Sequence, residues 1–142
     1  MKIIGIDIGT TSLSFAVTDR DTLSVIRNYT IANDSFIQTG NPWERIQDTE
    51  VILSRIRSVL NEILDTYSDI SAIGITSQMH GIVYINSCGH AVSPLYTWQD
   101  GRGALPAFNG RSICRILSED TNIKAAPGYG LVTHLYNVRK GI

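Results

Sequence analysis

The sequence predicts an α/β fold built on a mixed sheet, and three observations carry that expectation. Three short alternating runs near the N-terminus are joined by tight turns, which reads as an antiparallel meander. A long segment with helical period follows. A β-rich run then closes a strand–helix–strand crossover, which sets that last strand parallel to one of the first three. With 142 residues, 43% of them hydrophobic, the chain is long enough to bury a core as one domain or part of one.

In the first run, Lys2 to Ile8, the side chains of Ile4, Ile6 and Ile8 share one face, and Ile3, Gly5 and Asp7 share the other. Gly9-Thr10-Thr11-Ser12 interrupts it. Leu13, Phe15 and Val17 alternate again up to the turn Asp19-Arg20-Asp21. Leu23, Val25, Tyr29 and Ile31 give the third run. The helix is expected to start at Asn41, with Pro42 in its first position and Glu44 as the capping-box acid. Its apolar stripe is Ile46, Leu53, Ile56, Leu60, Ile63 and Tyr67, and it ends around 67–69. Ile70 to Ser77 is the crossover strand. A short strand at Ile82 to Ile85, a turn at Asn86 to Gly89 and an extended piece at Tyr96 to Trp98 follow. Arg102 to Leu117 reads as partly helical, interrupted by Pro106 and Gly110, and Leu131 to Arg139 as a helix. The second half of an α/β layer is missing from this pattern, so the chain is expected to be part of a larger domain.

Composition excludes several classes. Twelve basic and thirteen acidic residues leave a formal charge of −1, which does not suit a binder driven by phosphate neutralisation along nucleic acid. Arg55 and Arg57 are the only close arginine pair. Cys88 and Cys114 are too few for a disulfide scaffold and have no metal-ligand spacing with His80, His90 or His134. No apolar run approaches a membrane span, and the N-terminus has Asp7 where a signal peptide would be apolar. A cytoplasmic setting is expected.

Three motifs carry chemistry. Asp7-Ile8-Gly9-Thr10-Thr11-Ser12 sits between two strands. An Asp at a strand end can hold Mg²⁺ through water, and a Gly followed by hydroxyls lets backbone N–H groups approach phosphate oxygens. On spacing alone an ordinary hairpin turn fits these residues better. Gln78-Met79-His80-Gly81 lies between two apolar runs, where His80 is either a ligand for hydroxyl groups or a satisfied turn histidine. In Trp98-Gln99-Asp100-Gly101-Arg102 the ring suits the C–H face of a sugar and the charged groups suit its hydroxyls. A surface turn with a structural Asp–Arg pair fits equally well. No Walker-type loop occurs, and Gly128-Tyr129-Gly130 lacks the third glycine of a dinucleotide fingerprint.

Together these motifs carry a resemblance. IGIDIGTTSLSFAVTD resembles the first phosphate-binding hairpin of the actin, hexokinase and Hsp70 superfamily, which has a ribonuclease H-like fold. AIGITSQMHGIVYIN resembles the sugar-contact turn of the FGGY carbohydrate kinases. LYTWQDGR and PGYGLVTHLYNVRK resemble elements of the xylulokinase and sedoheptulokinase branch. The resemblance implies that residues 1–142 are the N-terminal portion of such a kinase's N-terminal domain, without the C-terminal lobe. It implies that ATP and Mg²⁺ are used to phosphorylate a ketose such as sedoheptulose or xylulose. Asp7 would organise the Mg²⁺–phosphate group, and Gly9, Thr10 and Thr11 would line the phosphates. Gln78, Met79 and His80 would contact the sugar, while Trp98, Asp100 and Arg102 would support or line its pocket. The general-base Asp of the family is expected beyond Ile142, so this chain is expected to be inactive alone. The rival readings are an actin-like nucleotide-binding protein and a non-catalytic sugar-binding module. Self-association is expected where apolar surface is left open.

Overall fold

The computed structural model describes residues 1–142. In chain order the elements are β1 (Lys2–Ile8), β2 (Ser12–Asp19), β3 (Val25–Ala32), β4 (Ile46–Gln47) and α1 (Thr49–Thr66). There follow β5 (Ile70–Ser77), β6 (Leu95–Tyr96), a single 3₁₀ turn (Arg102–Ala104), β7 (Pro106–Phe108), β8 (Arg111–Ser112), α2 (Ile113–Thr121) and α3 (Gly130–Lys140). The chain divides into two compact units. The first is Met1–Ser35 with Glu50–Gln78, and the second is Phe36–Thr49 with Met79–Ile142.

The first unit is a four-stranded mixed sheet of order β3-β2-β1-β5. β1 pairs antiparallel with β2 and parallel with β5, as the meander and crossover require. Alternation buries Ile4 and Ile6 from β1 and Leu13, Phe15 and Val17 from β2. Helix α1 buries Ile52, Ile56, Val59 and Ile63, a stripe at helical spacing. These apolar faces form the unit's core. β3 starts at Val25 rather than Leu23, because Leu23 takes a positive φ of 58° in the turn. Asp19 builds that turn by accepting from the backbone N–H groups of Asp21 and Thr22.

The expected start of α1 at Asn41 is corrected to Thr49. The capping chemistry at Asn41 is real but local: Glu44 N donates to Asn41 O, and Asn41 Nδ2 donates to Glu44 Oε2 at 3.2 Å. The next residues, Ile46 and Gln47, pair antiparallel with β6, so strand pairing takes the chain out of the helical path. The apolar stripe shifts accordingly. Leu53 is 40% exposed, and Ile52 and Val59 are buried in its place.

In the second unit, β4 pairs with β6, and bridges from Phe36 to Gln47 and from Ile82 to Tyr96 extend that ribbon. The strand expected at Ile82 to Ile85 is reduced to isolated bridges at its two ends. The interval from Arg102 resolves into the 3₁₀ turn, the β7–β8 hairpin and α2. Asn109 and Gly110, with φ of 48° and 75°, make the hairpin turn. Ser112 caps α2 by accepting from Arg115 N. Ile113, Val132 and Tyr136 centre the apolar cluster beneath α2 and α3.

Candidate functional site

In the first unit the connection from β1 to β2 is held from beneath. Gly9 N donates to Ser12 O at 3.0 Å, closing the turn. Asn33, 4% exposed, donates from Nδ2 to Gly9 O at 2.8 Å and from its backbone N to Thr11 O at 2.9 Å. Ser35 Oγ donates in turn to Asn33 Oδ1 at 2.6 Å. Thr10 Oγ1 donates to Gln78 Oε1 at 3.0 Å, and Gln78 N donates to Ile8 O. Gln78 therefore belongs with the Gly9–Thr11 turn. Asp7 and Thr11 are exposed, so the carboxylate and one hydroxyl of the motif meet solvent.

Asp7 also borders an open groove of about 540 Å³ in the sheet. Its floor is small, because Gly5 stands between Ala16 and Gly74 in the strand register. Asp7 stands between Ser14 and Thr76 one row further on. The donors here are one carboxylate and hydroxyl oxygens. That set fits Mg²⁺, which keeps several waters and shares its other ligands with phosphate oxygens. No group of three or more His, Cys, Asp or Glu side chains is arranged to cage a metal.

In the second unit three segments meet. A Cβ on Gly128 would lie 1.7 Å from Trp98 O, and one on Gly130 would lie 2.5 Å from Ile82 Cγ2. Only glycine allows segment 128–130 to lie this close to the His80–Ile82 stretch and to Trp98. The approach stacks the rings of His80 and Tyr129, centroids 4.5 Å apart and 23° from parallel. His80 holds a positive φ of 65°, a costly conformation for a non-glycine residue that clusters at functional positions. Met79, Trp98 and Tyr129 are 73%, 50% and 41% exposed. Open aromatic faces beside an imidazole can stack on sugar C–H surfaces and bond hydroxyls.

Asp100 and Arg102 are different. They are 0% and 1% exposed. Arg102 donates from Nε to Asp100 Oδ1 at 2.6 Å and from Nη2 to Asp100 Oδ2 at 3.1 Å. Its Nη1 reaches Asn137 Oδ1 at 2.8 Å, and Nη2 also reaches Glu44 Oε1 at 3.1 Å. The guanidinium lies 4.2 Å from the Tyr96 ring centroid. Asp100 additionally accepts from the backbone N–H groups of Arg45 and Arg102. Burial disfavours the Arg102 charge. The hydrogen bonds and charge of Asp100 outweigh that, with Tyr96 and Glu44 adding, and hold the group above its ordinary value. Burial likewise pushes the Tyr96 hydroxyl up. Both Asp100 oxygens and all three guanidinium nitrogens of Arg102 are hydrogen-bonded to protein.

Sequence reasoning missed Asn33, Glu44, Asn137 and Tyr129 in these arrangements. The first three act through partners distant in sequence, which no local pattern shows. Tyr129 did carry a signal: an aromatic between two glycines.

Comparison with known proteins follows the same lines. The profile of the FGGY family of carbohydrate kinases, N-terminal domain, matches residues 2–136. The xylulose kinase of Staphylococcus xylosus is 31% identical over 104 residues, 70% of this chain and 20% of that enzyme. A xylulose kinase structure from Brucella ovis superposes with a TM-score of 0.82 at 18% identity, covering 99% of this chain and 30% of that one. Plasmodium falciparum glycerol kinase with ADP superposes with a TM-score of 0.71 at 16% identity, covering 97% and 28%. The fold is thus the mixed α/β, actin/hexokinase-like fold of these N-terminal domains. The chain spans about one fifth of the Staphylococcus xylosus enzyme's length. No helix is long and apolar enough to cross a membrane.

Proposed function

The chain belongs to the FGGY family of carbohydrate kinases, and from that premise we propose that it forms the N-terminal portion of a cytoplasmic ATP-dependent ketose kinase. The reaction class is transfer of the γ-phosphoryl group of ATP to a sugar hydroxyl. A five-carbon ketose of the xylulose type is the favoured substrate, with a seven-carbon ketose second. The observation that carries the sugar assignment is the exposed stacked pair His80 and Tyr129, held beside Trp98 by glycine-only contacts.

In this reading Trp98 and Tyr129 offer faces to the sugar, and Met79 and His80 complete its contact. Asp100 and Arg102 act from behind by fixing the backbone that carries Trp98. Asp7 orients hydrated Mg²⁺, which neutralises phosphate charge when bound. The N–H groups and hydroxyls of Gly9, Thr10 and Thr11 receive phosphate oxygens, and Gln78 holds Thr10 in place. Phosphoryl transfer depends on positioning and charge neutralisation of this kind. A general base lies outside these residues, so the isolated chain is proposed to bind without turnover. Loss of a base costs about 10²–10⁴ in rate.

The test is thermal stabilisation of the chain by D-xylulose, sedoheptulose and Mg-ATP in turn. Ketose-dependent stabilisation that Trp98→Ala abolishes is expected. Stabilisation by Mg-ATP alone would favour the nucleotide-binding rival instead. Coupled-assay turnover of ATP and a ketose by the isolated chain would overturn the inactivity.

A further inference from the structure

Two carbonyls of the turn between β1 and β2 are tied to one residue from beyond β3. Asn33 directly follows that strand, and its backbone N donates to Thr11 O at 2.9 Å, which extends the β2–β3 ladder by one step. Its side chain reaches further, and Nδ2 donates to Gly9 O at 2.8 Å. Gly9 O can only accept, so the amide nitrogen must face it. The amide oxygen is left for Ser35, whose Oγ donates to Oδ1 at 2.6 Å. Asn33 and Ser35 are 4% and 3% exposed, so the lock is internal to the first unit.

The turn does not fix these carbonyls by itself. Its own closing bond runs from Gly9 N to Ser12 O and leaves the Gly9–Thr10 peptide plane to rotate. Glycine accepts either orientation of such a plane at little steric cost. The side on which Gly9 O is held therefore depends on Asn33. Ile31 belongs to the sheet face that meets α1, where it lines a cavity with Val51 and Arg55. Asn33, two residues on, continues that face. Asp7 belongs to the other face, in register with Ser14 and Thr76. A trans peptide unit points its C=O and its N–H in opposite directions. By drawing Gly9 O toward the α1 face, Nδ2 turns the N–H end of that peptide dipole toward the face of Asp7. The backbone bond meanwhile holds Thr11 O toward β3.

Given the reading of this turn as a phosphate site, we propose that Asn33 is a positioning residue for phosphate binding. It keeps the Gly9 carbonyl oxygen away from the incoming anion and the positive end of the Gly9–Thr10 peptide toward it. A carbonyl oxygen turned the other way would set its partial negative charge against the phosphate oxygens, whereas backbone N–H ends attract them. Ser35 sets the orientation of the amide, so it acts one step further back. Gln78 holds the Thr10 hydroxyl. Thr10 is thus fixed through its main chain by Asn33 and through its side chain by Gln78.

The test is a nuclear magnetic resonance titration of the chain with Mg-ATP and, separately, with magnesium tripolyphosphate, followed at the amides of residues 9–12. Residual dipolar couplings give the direction of the Thr10 N–H. Asn33→Ala is expected to change that direction while the couplings of β1 and β2 stay as in the wild type. It is also expected to raise the titration midpoint about tenfold. Ser35→Ala leaves Asn33 in place and is expected to give a smaller loss of the same kind, about threefold. That variant decides the matter if Asn33→Ala does not fold. A merely structural Asn33 would lower the melting temperature and leave both the Thr10 coupling and the midpoint of the folded chain unchanged. That result overturns the proposal, as does a changed Thr10 direction with an unchanged midpoint. A wild-type chain whose turn amides respond to neither probe overturns the phosphate-site reading, and the role of Asn33 with it.

Discussion

The Arg102 guanidinium, itself 1% exposed, makes four side-chain hydrogen bonds, two to Asp100, one to Asn137 and one to the partly exposed Glu44, and lies over the Tyr96 ring. Removing it leaves Asp100 buried and uncompensated. Arg102→Ala is therefore expected to destabilise the fold by about 3–5 kcal/mol in chemical denaturation. Arg102→Lys is expected to recover little, since an ammonium cannot reproduce the forked contact. Trp98→Ala should behave oppositely, with a small change in stability and loss of sugar-dependent stabilisation, because half the side chain is already in water. The two residues sit in one pentapeptide, and the sequence showed the pentapeptide but not the division of labour. Composition leaves a guanidinium at a sugar and a guanidinium beneath it indistinguishable, and the partners that decide it, Glu44 and Asn137, are far away in the chain. Asp69 offers a pH test. The Lys2 ammonium, hydrogen-bonded at 2.6 Å, holds its carboxyl below the usual range. A depressed carboxylate contributes stability that is present above its unfolded value, about 3.9, and is lost as pH falls through the lower folded value. Thermal midpoints are expected to be level from neutral pH to about 5 and to decline below about 4. Asp69→Asn should make that decline shallower.

Elements were legible where the pattern is local. β1, β2 and β5 follow alternation closely, and β5 was placed to the residue. The start of α1 was not, because Asn41, Pro42 and Glu44 supply helix-start chemistry that is spent in a turn. Pairing of β4 with β6, nearly fifty residues downstream, decided the outcome. The correction has an energetic signature. Ile56→Ala should cost about 2–4 kcal/mol, whereas Leu53→Ala, at a half-exposed position, should cost under about 1 kcal/mol. Denaturant midpoints of the two variants would check the stripe. The β7–β8 hairpin was legible in principle, since Asn109-Gly110 is a strong turn signal, but its strands are too short to show alternation. Gly128→Ala is a further test of element packing. Its methyl would have to displace the Trp98 carbonyl, so loss of both stability and sugar binding is expected together.

At the scale of the molecule, the two units are interleaved in sequence. The first unit takes its strands from either side of a segment that belongs to the second, and the second does the same in reverse. Periodicity could not reveal this, because it sorts elements by type and not by neighbour. The arrangement bears on biosynthesis. As the chain emerges from a ribosome, the β1–β2–β3 meander is complete early. Its fourth strand arrives only after Asn33 to Asp69 has been translated, a delay of a few seconds at about 5–20 residues per second. Through that interval the apolar face carrying Ile4, Ile6 and Phe15 lacks its helix, and β1 shows a bare margin. The nascent meander is thus a natural client for a holding chaperone at the tunnel mouth, and silent codon changes that slow translation between β3 and β5 should lower the yield of folded chain without altering a single residue.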